Sequence, residues 1–476
     1  MAIEPQHITK LKEIAGPKGW SDDQTIIAPH LVEPRDKFSG VTPLLLLPDS
    51  TQNVSKLVTY CNQNKIKVVP QGGNTGLVGG GVPDGSGNEI IINLKRLNKI
   101  RSEDVLNHTI TVDSGVILSD LHDAVEKINF QFPLHLASEG STMIGGNIST
   151  NAGGINVLHY GVTRDLILGL EIVLPSGEIL SDLTGLRKDN TGYDLKQLFI
   201  GAEGTLGIVT GATLKLYPSH LQKNTAFVAI KNPQSAIELL SLARKISGDN
   251  LIAFEILPRI GLDFTIKHMA GCCDPLAEKY PWYILMECAT SLEKDLLDLE
   301  ILLERILETA LNKDLVLDGV IAKNMAETKA LWNLRESMSE AQKFEGGSIK
   351  HDISVPVSKI PQFIELASAA VIKKLPGIRP VPFGHIGDGN IHFNLSQPLG
   401  MEKSEYLALW QQINSIVHDI VHSLGGSISA EHGIGILKVQ ELERYKPEID
   451  LKIMRTLKKA IDPNNIMNPG RVISLK

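Results

Sequence analysis

Hydrophobic and polar positions recur with two different periods along the chain, and these periods divide it into predicted helices and strands. After Pro48, apolar side chains at Val54, Leu57, Val58 and Cys61 recur every three to four residues, which predicts the buried face of a helix. Shorter apolar runs predict strands. In the first half these strands are Lys67–Val69, Glu89–Leu94, Thr109–Asp113, Gly169–Leu174 and Gly207–Leu216, and a further helix is predicted near Ile117–Ile128.

The second half combines strands with longer helical patterns. The predicted strands are Ala226–Ile230, Trp282–Ala289, Ile349–Val355 and Val381–Ile386, and the predicted helices are Ser291–Lys313, Ser358–Lys374 and Lys403–Leu424. A sheet with helices on one face accounts for this order. We therefore expect an α+β fold with a domain boundary near Pro218, where the glycine-rich stretches of the first half end.

The stretch Val68–Pro83, VVPQGGNTGLVGGGVP, contains six glycines directly after a strand-like run. Such a cluster is typical of a backbone that needs positive φ or close contact with a ligand. Consecutive exposed N–H groups in such a loop form a concavity that suits a phosphate or pyrophosphate. Neither G-x-G-x-x-G nor the P-loop pattern occurs in the chain, so a nucleotide cofactor would bind in another manner. A glycine-rich hairpin without a ligand is the alternative.

Two more glycine-rich stretches follow in the first half. Ser138–Gly154, SEGSTMIGGNISTNAGG, lies between predicted core strands, a position that favours wrapping of a ligand over disorder. In Asp189–Gly211, the glycines Gly201, Gly204 and Gly207 are spaced three apart. A second ligand-wrapping loop in one half of the chain indicates a large cofactor.

Two histidines and a glutamate in the second half suggest a metal site. In Gly384–Asn394, GHIGDGNIHFN, a tight turn at Asp388 and Gly389 would place His385 opposite His392, with Asn394 further along the same face. Facing imidazoles provide half of a zinc-type site, although a purely structural pair is the commoner case.

The segment Ser427–Gly435, SISAEHGIG, adds the remaining polar groups. Neighbouring strand residues point to opposite faces, so Glu431 can face the metal while His432 faces a substrate. A surface Glu-His pair in a turn is the alternative.

Basic residues complete the candidate chemistry. Arg335 and Ser339 are four residues apart on a predicted helix, and Lys350 lies with Asp352 on the polar side of the predicted strand Ile349–Val355. Arginine suits bidentate carboxylate binding, and lysine adds a point charge. Solvated surface residues would give the same pattern.

Composition narrows the class of protein. The 476 residues include 47 Lys and Arg and 54 Asp and Glu, a net charge of −7, with no basic run for nucleic acid. Four cysteines without a C-x-x-C pair favour a reducing compartment. The amino-terminal sequence has neither a signal core nor a transit pattern, and no apolar run is long enough for a transmembrane helix. We therefore expect a cytoplasmic protein.

Five motifs in order, PQGGNTGLVGG, EGSTMIGGNISTNAGG, GAEGTLGIVT, GHIGDGNIHFN and SAEHGIG, resemble those of the FAD-linked D-2-hydroxyacid dehydrogenases of the vanillyl-alcohol oxidase (PCMH-type) family. The resemblance covers nearly the whole chain after about residue 35. It implies a PCMH-type FAD-binding domain of two α+β subdomains at 44–219 and a cap domain at 220–425 with an antiparallel sheet covered by helices. Residues 1–43 would form a lead-in, and 426–476 would return to the FAD domain.

The resemblance also implies how FAD is bound. No histidine or cysteine lies between Val68 and Pro83, so we expect non-covalent FAD. The implied FAD-binding residues are Pro70, Gln71, Gly72, Gly73, Asn74, Thr75, Gly76, Leu77, Glu139, Gly140, Ser141, Gly145, Gly146, Asn147, Thr150, Asn151, Gly153, Gly154, Tyr160, Gly161, Glu203, Gly204, Gly207, Ile208 and Asn468.

The same resemblance implies a reaction. A divalent metal, expected to be zinc, would be bound by His385, His392 and Glu431, and His432 would act as general base while hydride passes to flavin N5. The implied substrate-binding residues are Arg335, Ser339, Lys350 and Asn394. Ser339 replaces the usual threonine, and Lys350 favours D-2-hydroxyglutarate over D-lactate.

Other functions remain open from the sequence. Within the family they are a D-lactate dehydrogenase or a glycolate oxidase-type subunit, and outside it a metal-dependent hydrolase or a non-catalytic flavoprotein subunit. The expected partners are an acceptor such as an electron-transfer flavoprotein or a quinone, and a homodimer is plausible.

Overall fold

The computed structural model describes residues 3–475, which form two compact units. The first unit contains the described residues up to 154, residues 161–219 and those from 431 onward. The second contains residues 155–160 and 220–430. Each unit combines helices with sheets, so the α+β class expected from the sequence is confirmed. Across residues 3–475, every helix falls short of the length or apolar character needed to cross a membrane.

The first unit contains two main sheets. One has the strand order Trp20–Ser21, Leu45–Leu46, Glu89–Asn93 and Lys67–Gln71, and its last three strands are parallel. The other is antiparallel, with the order Ile100–Asp104, Thr109–Asp113, Ile208–Lys215, Ile167–Val173 and Ile179–Asp182. Phe130–Gln131 and Tyr217–Pro218 form a separate short pair.

Helices pack on these sheets through apolar faces. The helix Thr51–Gln63 begins where the Ser50 side chain accepts a hydrogen bond from the N–H of Asn53, and it buries Val54 and Leu57 in the core of the parallel sheet. The other helices of this unit are Pro5–Ala15, Gln24–Ile27, Leu118–Glu126, Ile144–Thr150, Thr163–Leu166, Lys196–Phe199, Val439–Tyr445 and Glu448–Ile461, with a 3₁₀ turn at Ala28–His30.

The carboxyl-terminal segment is built into the first unit. The N–H of Val68 donates to the carbonyl oxygen of Ile466, and the N–H of Asn468 donates to that of Val68, both at 2.8 Å. The guanidinium of Arg471 binds both carboxylate oxygens of Glu89, at 2.6 and 2.8 Å, with both side chains almost fully buried. These contacts join the carboxyl-terminal segment to the strands on either side of the first glycine loop, almost four hundred positions earlier in the chain.

The second unit also contains two sheets, and both are antiparallel. The first has the order Leu251–Pro258, Trp282–Thr290, Gln222–Ile230 and Asp318–Ile321. In the second, the strand Asn390–Ser396 pairs with each of Ser348–Ile349, Asp352–Ser354 and Arg379–Phe383. The helices are Val157–Tyr160, Pro233–Ser247, Arg259–His268, Leu299–Leu311, Met325–Glu336, Met338–Ala341, Ile360–Lys374, Lys403–Ala408 and Trp410–Ser423, with 3₁₀ turns at Gly248–Asn250, Gln342–Glu345 and Val357–Lys359.

Several predicted elements of the second unit need correction. The helix predicted over Ser291–Lys313 begins only at Leu299, because the Asp298 side chain accepts the N–H groups of Glu300 and Ile301 and caps it there. The helix predicted over Lys403–Leu424 is two helices, and the strand predicted over Ile349–Val355 is interrupted at Lys350 and His351. The strand Leu251–Pro258 and the helix Pro233–Ser247 were not predicted from the sequence.

The buried Arg471–Glu89 pair gives a test of how the carboxyl-terminal segment is held. Arg471→Ala leaves the Glu89 carboxylate buried without its cation, and we expect a loss of about 3–5 kcal/mol in the free energy of unfolding, measured by urea denaturation. Lys10→Ala, which removes only the exposed pair with Glu13, serves as control and should change stability little. Equal midpoints for the two variants would contradict the assigned role.

Candidate functional site

The first unit encloses a cavity of about 700 Å³ beside its glycine-rich loops. This volume lies within the range of sites that bind large organic ligands. Eighteen residues that the sequence predicted for the cofactor line it. They are Pro70, Gln71, Gly72, Gly73, Asn74, Thr75, Gly76, Leu77, Ser141, Gly145, Gly146, Asn147, Thr150, Gly153, Glu203, Gly204, Gly207 and Ile208.

The first glycine loop has the backbone of an anion-binding concavity. Asn74 adopts φ 53°, and within residues 3–475 the N–H groups of residues 74–77 donate no hydrogen bond. A Cβ on Gly73 would lie 2.0 Å from the carbonyl oxygen of Ser141, so only glycine fits there. A Cβ on Gly76 would meet no protein atom within 4 Å, which leaves room for a ligand. These features favour a phosphate group at this loop.

Two buried polar atoms in the cavity wall lack protein partners. Ser114 Oγ and Asn147 Nδ2 are shielded from solvent, and neither forms a hydrogen bond with any residue from 3 to 475. Buried polar atoms in native proteins are normally paired, so a ligand with hydrogen-bonding groups of its own would satisfy them. The first glycine loop and these two buried atoms therefore both fit a large polar cofactor.

Glu203 has a structural role beyond lining the cavity. Its two carboxylate oxygens accept the N–H groups of Ile434 and Gly435, at 2.7 and 2.8 Å. Burial raises the pKa of this carboxyl, although the two N–H donors act in the opposite direction. A Cβ on Gly433, at φ 79°, would lie 2.7 Å from the Glu203 side chain. Glu203 thereby fixes the loop that directly follows Glu431 and His432, and these two residues also line the cavity.

Seven residues predicted for the cofactor lie outside the lining, and three of them have side chains that bond to other residues. The Asn468 side chain donates hydrogen bonds to the carbonyl oxygens of Gly80 and Glu203, so it supports the cavity wall without lining the cavity. The Tyr160 hydroxyl contacts His220, and Glu139 contacts His135. The remaining four are Gly140, Asn151, Gly154 and Gly161.

Further lining residues were missed by the sequence prediction. They are Pro34, Val78, Gly80, Gly81, Leu94, Ser114, Leu136, Ala137, Ser138, Thr142, Ser149, Ala152 and Val209. Most of them lie inside or beside the glycine-rich stretches, so a broader reading of those stretches would have included them. Pro34 and Ser114 carry no such signal.

In the second unit, the predicted register of the histidine hairpin is wrong. Phe383, not His385, pairs with His392, and Arg379 pairs with Ser396. The reason is Gly384, whose N–H and carbonyl groups bond to Ile256 at 3.1 and 2.9 Å and draw the chain out of the hairpin. His385 therefore lies in the connecting loop. Even so, the ring centroids of His385 and His392 are 5.5 Å apart.

Glu255, which the sequence prediction missed, organises this site. It is 1% exposed, and its carboxylate accepts hydrogen bonds at 2.6 Å from His385 Nδ1 and from Arg335 Nε. Burial alone would raise its pKa, but the charges and hydrogen bonds of His385 and Arg335 lower the pKa to about 2. A carboxylate at Nδ1 fixes the orientation of the ring, and such a partner is typical of metal-binding histidines.

The predicted substrate residues fall into two groups. Lys350 Nζ donates to the backbone oxygen of Ser339 at 3.2 Å, so these two lie together. Arg335 and Ser339 do not share one helix, because the helix ends at Glu336 and a new one starts at Met338.

Asn394 is held within the protein. Its side chain is 2% exposed and donates to Gln342 Oε1 at 2.7 Å.

Glu431 and His432 follow Ala430, whose N–H is bonded to the carbonyl oxygen of Asp352. Glu431 and His432 belong to the first unit, whereas His385 and His392 belong to the second. The metal ligands expected from the sequence therefore stay a prediction.

Comparisons with known proteins identify the two domains of the chain. A model described as FAD binding domain matches residues 42–182, and one described as FAD linked oxidases, C-terminal domain, matches residues 220–472. A probable D-2-hydroxyglutarate dehydrogenase, mitochondrial, from Oryza sativa subsp. indica is 40% identical over 99% of this chain and 82% of its own. A D-2-hydroxyglutarate–pyruvate transhydrogenase from Saccharomyces cerevisiae is 39% identical, over 92% and 88%.

Solved structures share the fold at low identity. p-Cresol methylhydroxylase has a TM-score of 0.75 at 15% identity, covering 99% of this chain and 97% of its own. Alkyldihydroxyacetonephosphate synthase has a TM-score of 0.73 at 19% identity, covering 98% and 86%. These findings confirm the family that the five motifs indicated. The chain therefore belongs to the FAD-linked oxidases that combine an FAD-binding domain with the FAD-linked oxidase C-terminal domain, a family that includes the D-2-hydroxyglutarate dehydrogenases.

Proposed function

We propose that this protein oxidises a D-2-hydroxy acid to the 2-oxo acid, with D-2-hydroxyglutarate as the favoured substrate and FAD as the bound oxidant. The names of relatives at 38–40% identity support this substrate. The observation that carries the proposal is that Glu431, a proposed metal ligand, and His432, the proposed base, both line the cavity beside the glycine-rich loops.

The first glycine loop would hold the FAD pyrophosphate non-covalently, and the stretch from Ser138 to Gly153 would contact the rest of the cofactor. Bound flavin would supply the hydride acceptor. Ser114 and Asn147 would gain their missing hydrogen-bond partners from the cofactor.

His432 would take the proton from the substrate hydroxyl as general base. His385, His392 and Glu431 would hold a divalent metal, for which imidazole and carboxylate ligands favour zinc. Such a metal would lower the pKa of a bound hydroxyl group.

Lys350 and Ser339 would bind the distal carboxylate of a dicarboxylic substrate, with the Arg335 guanidinium as a further cation. Arg335 is already paired through Nε with Glu255, and no described residue hydrogen-bonds its two Nη groups. A planar guanidinium can serve a second carboxylate through these groups. Asn394 would influence substrate binding indirectly, through its hydrogen bond to Gln342.

The remaining parts of the proposal concern partners and location. An electron-transfer flavoprotein or a quinone would reoxidise the flavin, and the name of the yeast relative adds a 2-oxo acid as an alternative acceptor. A cytoplasmic location agrees with four free cysteines, whereas several relatives are named mitochondrial. We also propose that the protein forms a homodimer.

The first test is anaerobic mixing of the FAD-loaded protein with D- and L-2-hydroxyglutarate, lactate, malate and glycolate. We expect bleaching of the flavin absorbance by D-2-hydroxyglutarate without any added partner, because substrate oxidation and flavin reduction are one step. His432→Asn should retain FAD but lose this reduction by about 10²–10⁴-fold. His422→Asn, at an exposed helix end, is the control. Absence of bleaching would reject the proposal, and phosphoester cleavage without an acceptor would support a hydrolase.

The second test concerns the carboxylate group of the substrate. Lys350→Ala removes a charged hydrogen-bond donor, and we expect kcat/KM for D-2-hydroxyglutarate to fall about 10–100-fold while that for D-lactate changes little. The control is Lys343→Ala, which removes an exposed lysine from the same region. Equal losses for the two substrates would count against a dicarboxylate.

The third test concerns the metal and its support by Glu255. Chelator dialysis should abolish activity and zinc should restore it. Glu255→Gln weakens the hold on His385, and we expect metal affinity to fall about 10–100-fold in calorimetric titration. Glu287→Gln is the control, because Glu287 is also buried in the same sheet but bonds to Thr225 and Trp332. Unchanged affinity in Glu255→Gln would show that another group orients the histidine.

A further inference from the structure

A second cluster of metal-ligating side chains lies in the first unit, and the proposed reaction does not use it. It consists of His122, His135 and Glu139, which offer ligand atoms within 4.8 Å of one another. Glu139 Oε2 lies 3.3 Å from His135 Nδ1 and 3.8 Å from His122 Nδ1. The two imidazole centroids are 4.6 Å apart. The cluster shares no residue with the proposed metal ligands His385, His392 and Glu431.

Backbone hydrogen bonds hold the two segments that carry the cluster. His122 lies on the helix Leu118–Glu126, and the N–H of Ser119, in the first turn of this helix, donates to the carbonyl oxygen of Glu139 at 3.1 Å. The N–H of Glu139 bonds to Leu136, which closes the turn between His135 and Glu139. The three side chains therefore converge on a framework that is already fixed, which lowers the entropic cost of binding an ion.

The chemical state of the cluster suits a cation. It combines two imidazole rings with one carboxylate. Neutral imidazole and carboxylate are the forms that bind divalent transition metals.

A buried atom of His122 adds a second observation. Its Nε2 is shielded from solvent and makes no hydrogen bond of good geometry within residues 3–475, although the backbone of Leu134 and of Phe132 acts on this ring as a hydrogen-bond partner. The Nδ1 atom of the same ring lies 3.8 Å from Glu139 Oε2, too far for a hydrogen bond. A cation bound by His122 Nδ1 together with His135 and Glu139 would occupy this space.

We propose that His122, His135 and Glu139 form a second, exchangeable site for a divalent transition-metal ion of the zinc type. Three protein ligands of this kind make a site that is complete with water. Two of the three side chains are partly exposed, at 38% for His135 and 43% for Glu139, so the ion can enter and leave.

The position of the site gives the ion an effect on the cofactor cavity. Leu136, Ala137, Ser138, Ser141 and Thr142 line the cavity, and Glu139 lies between them in the chain. An ion bound by His122, His135 and Glu139 would link both ends of the turn between His135 and Glu139 to the helix Leu118–Glu126. Occupancy of the site would therefore slow the release of FAD, and this effect does not depend on which substrate the protein oxidises.

The test counts bound metal in the FAD-loaded protein after dialysis against zinc, by elemental analysis and by calorimetric titration. We expect the wild type to bind one more ion per chain than His135→Gln, whose affinity at this site should fall at least about tenfold. His122→Gln should lose the same ion. The matched control is His108→Gln, because His108 contacts Phe130 and belongs to neither cluster. Since His135 is partly exposed, its variant keeps the test valid if His122→Gln does not fold.

A second measurement follows FAD release on dilution, with and without zinc. Zinc should slow release in the wild type and in His108→Gln but not in His135→Gln. Equal zinc stoichiometry and affinity in all four proteins would overturn the site. Loss of one ion without any change in the effect of zinc on FAD release would overturn its coupling to the cavity. Substrate-dependent flavin reduction is measured separately, so failure of the proposed dehydrogenase activity leaves both outcomes readable.

Discussion

The cofactor cavity depends on one buried carboxylate, that of Glu203. Its two oxygens accept the backbone N–H groups of Ile434 and Gly435, and this contact joins the glycine-rich segment around residue 204 to the loop after His432. A carboxylate removed from water needs such donors, because an unpaired one is costly to bury. Glycine at position 433 is required for the same contact, since any side chain would collide with Glu203. The short sequence HGIG is therefore explained by packing as much as by ligand binding.

A second buried carboxylate plays the corresponding part in the second unit. Glu255 binds His385 and Arg335 at once, so a candidate metal ligand and a candidate substrate residue share one anion. The interactions with His385 and Arg335 also explain why the pKa of Glu255 falls although burial opposes ionisation. Any change at Glu255 acts on both neighbours together, so its effects on metal and on substrate are coupled.

Local motifs were predictable from the sequence, and long-range pairing was not. The glycine-rich loops could be assigned because their composition is incompatible with ordinary helices and strands, and most residues of the cavity wall lie in or beside them. The hairpin register was wrong because Gly384 bonds to Ile256, a residue far away in the chain. Glu255 was missed because it lies within the apolar run LIAFEILP, and its partners lie 80 and 130 positions further on. Patterning cannot show which distant groups neutralise such a residue.

The pairing of Val68 with residues 466–468 has a consequence for biosynthesis. The strand that leads into the first glycine loop receives a neighbour from residues 466–468, which follow the whole of the second unit in the sequence. During translation the amino-terminal part of the first unit therefore emerges from the ribosome long before this neighbour has been synthesised. Because contacts of such sequence separation form late, we expect nucleotide loading to wait for residues 466–468, and until then this strand edge of the nascent apoprotein is unpaired.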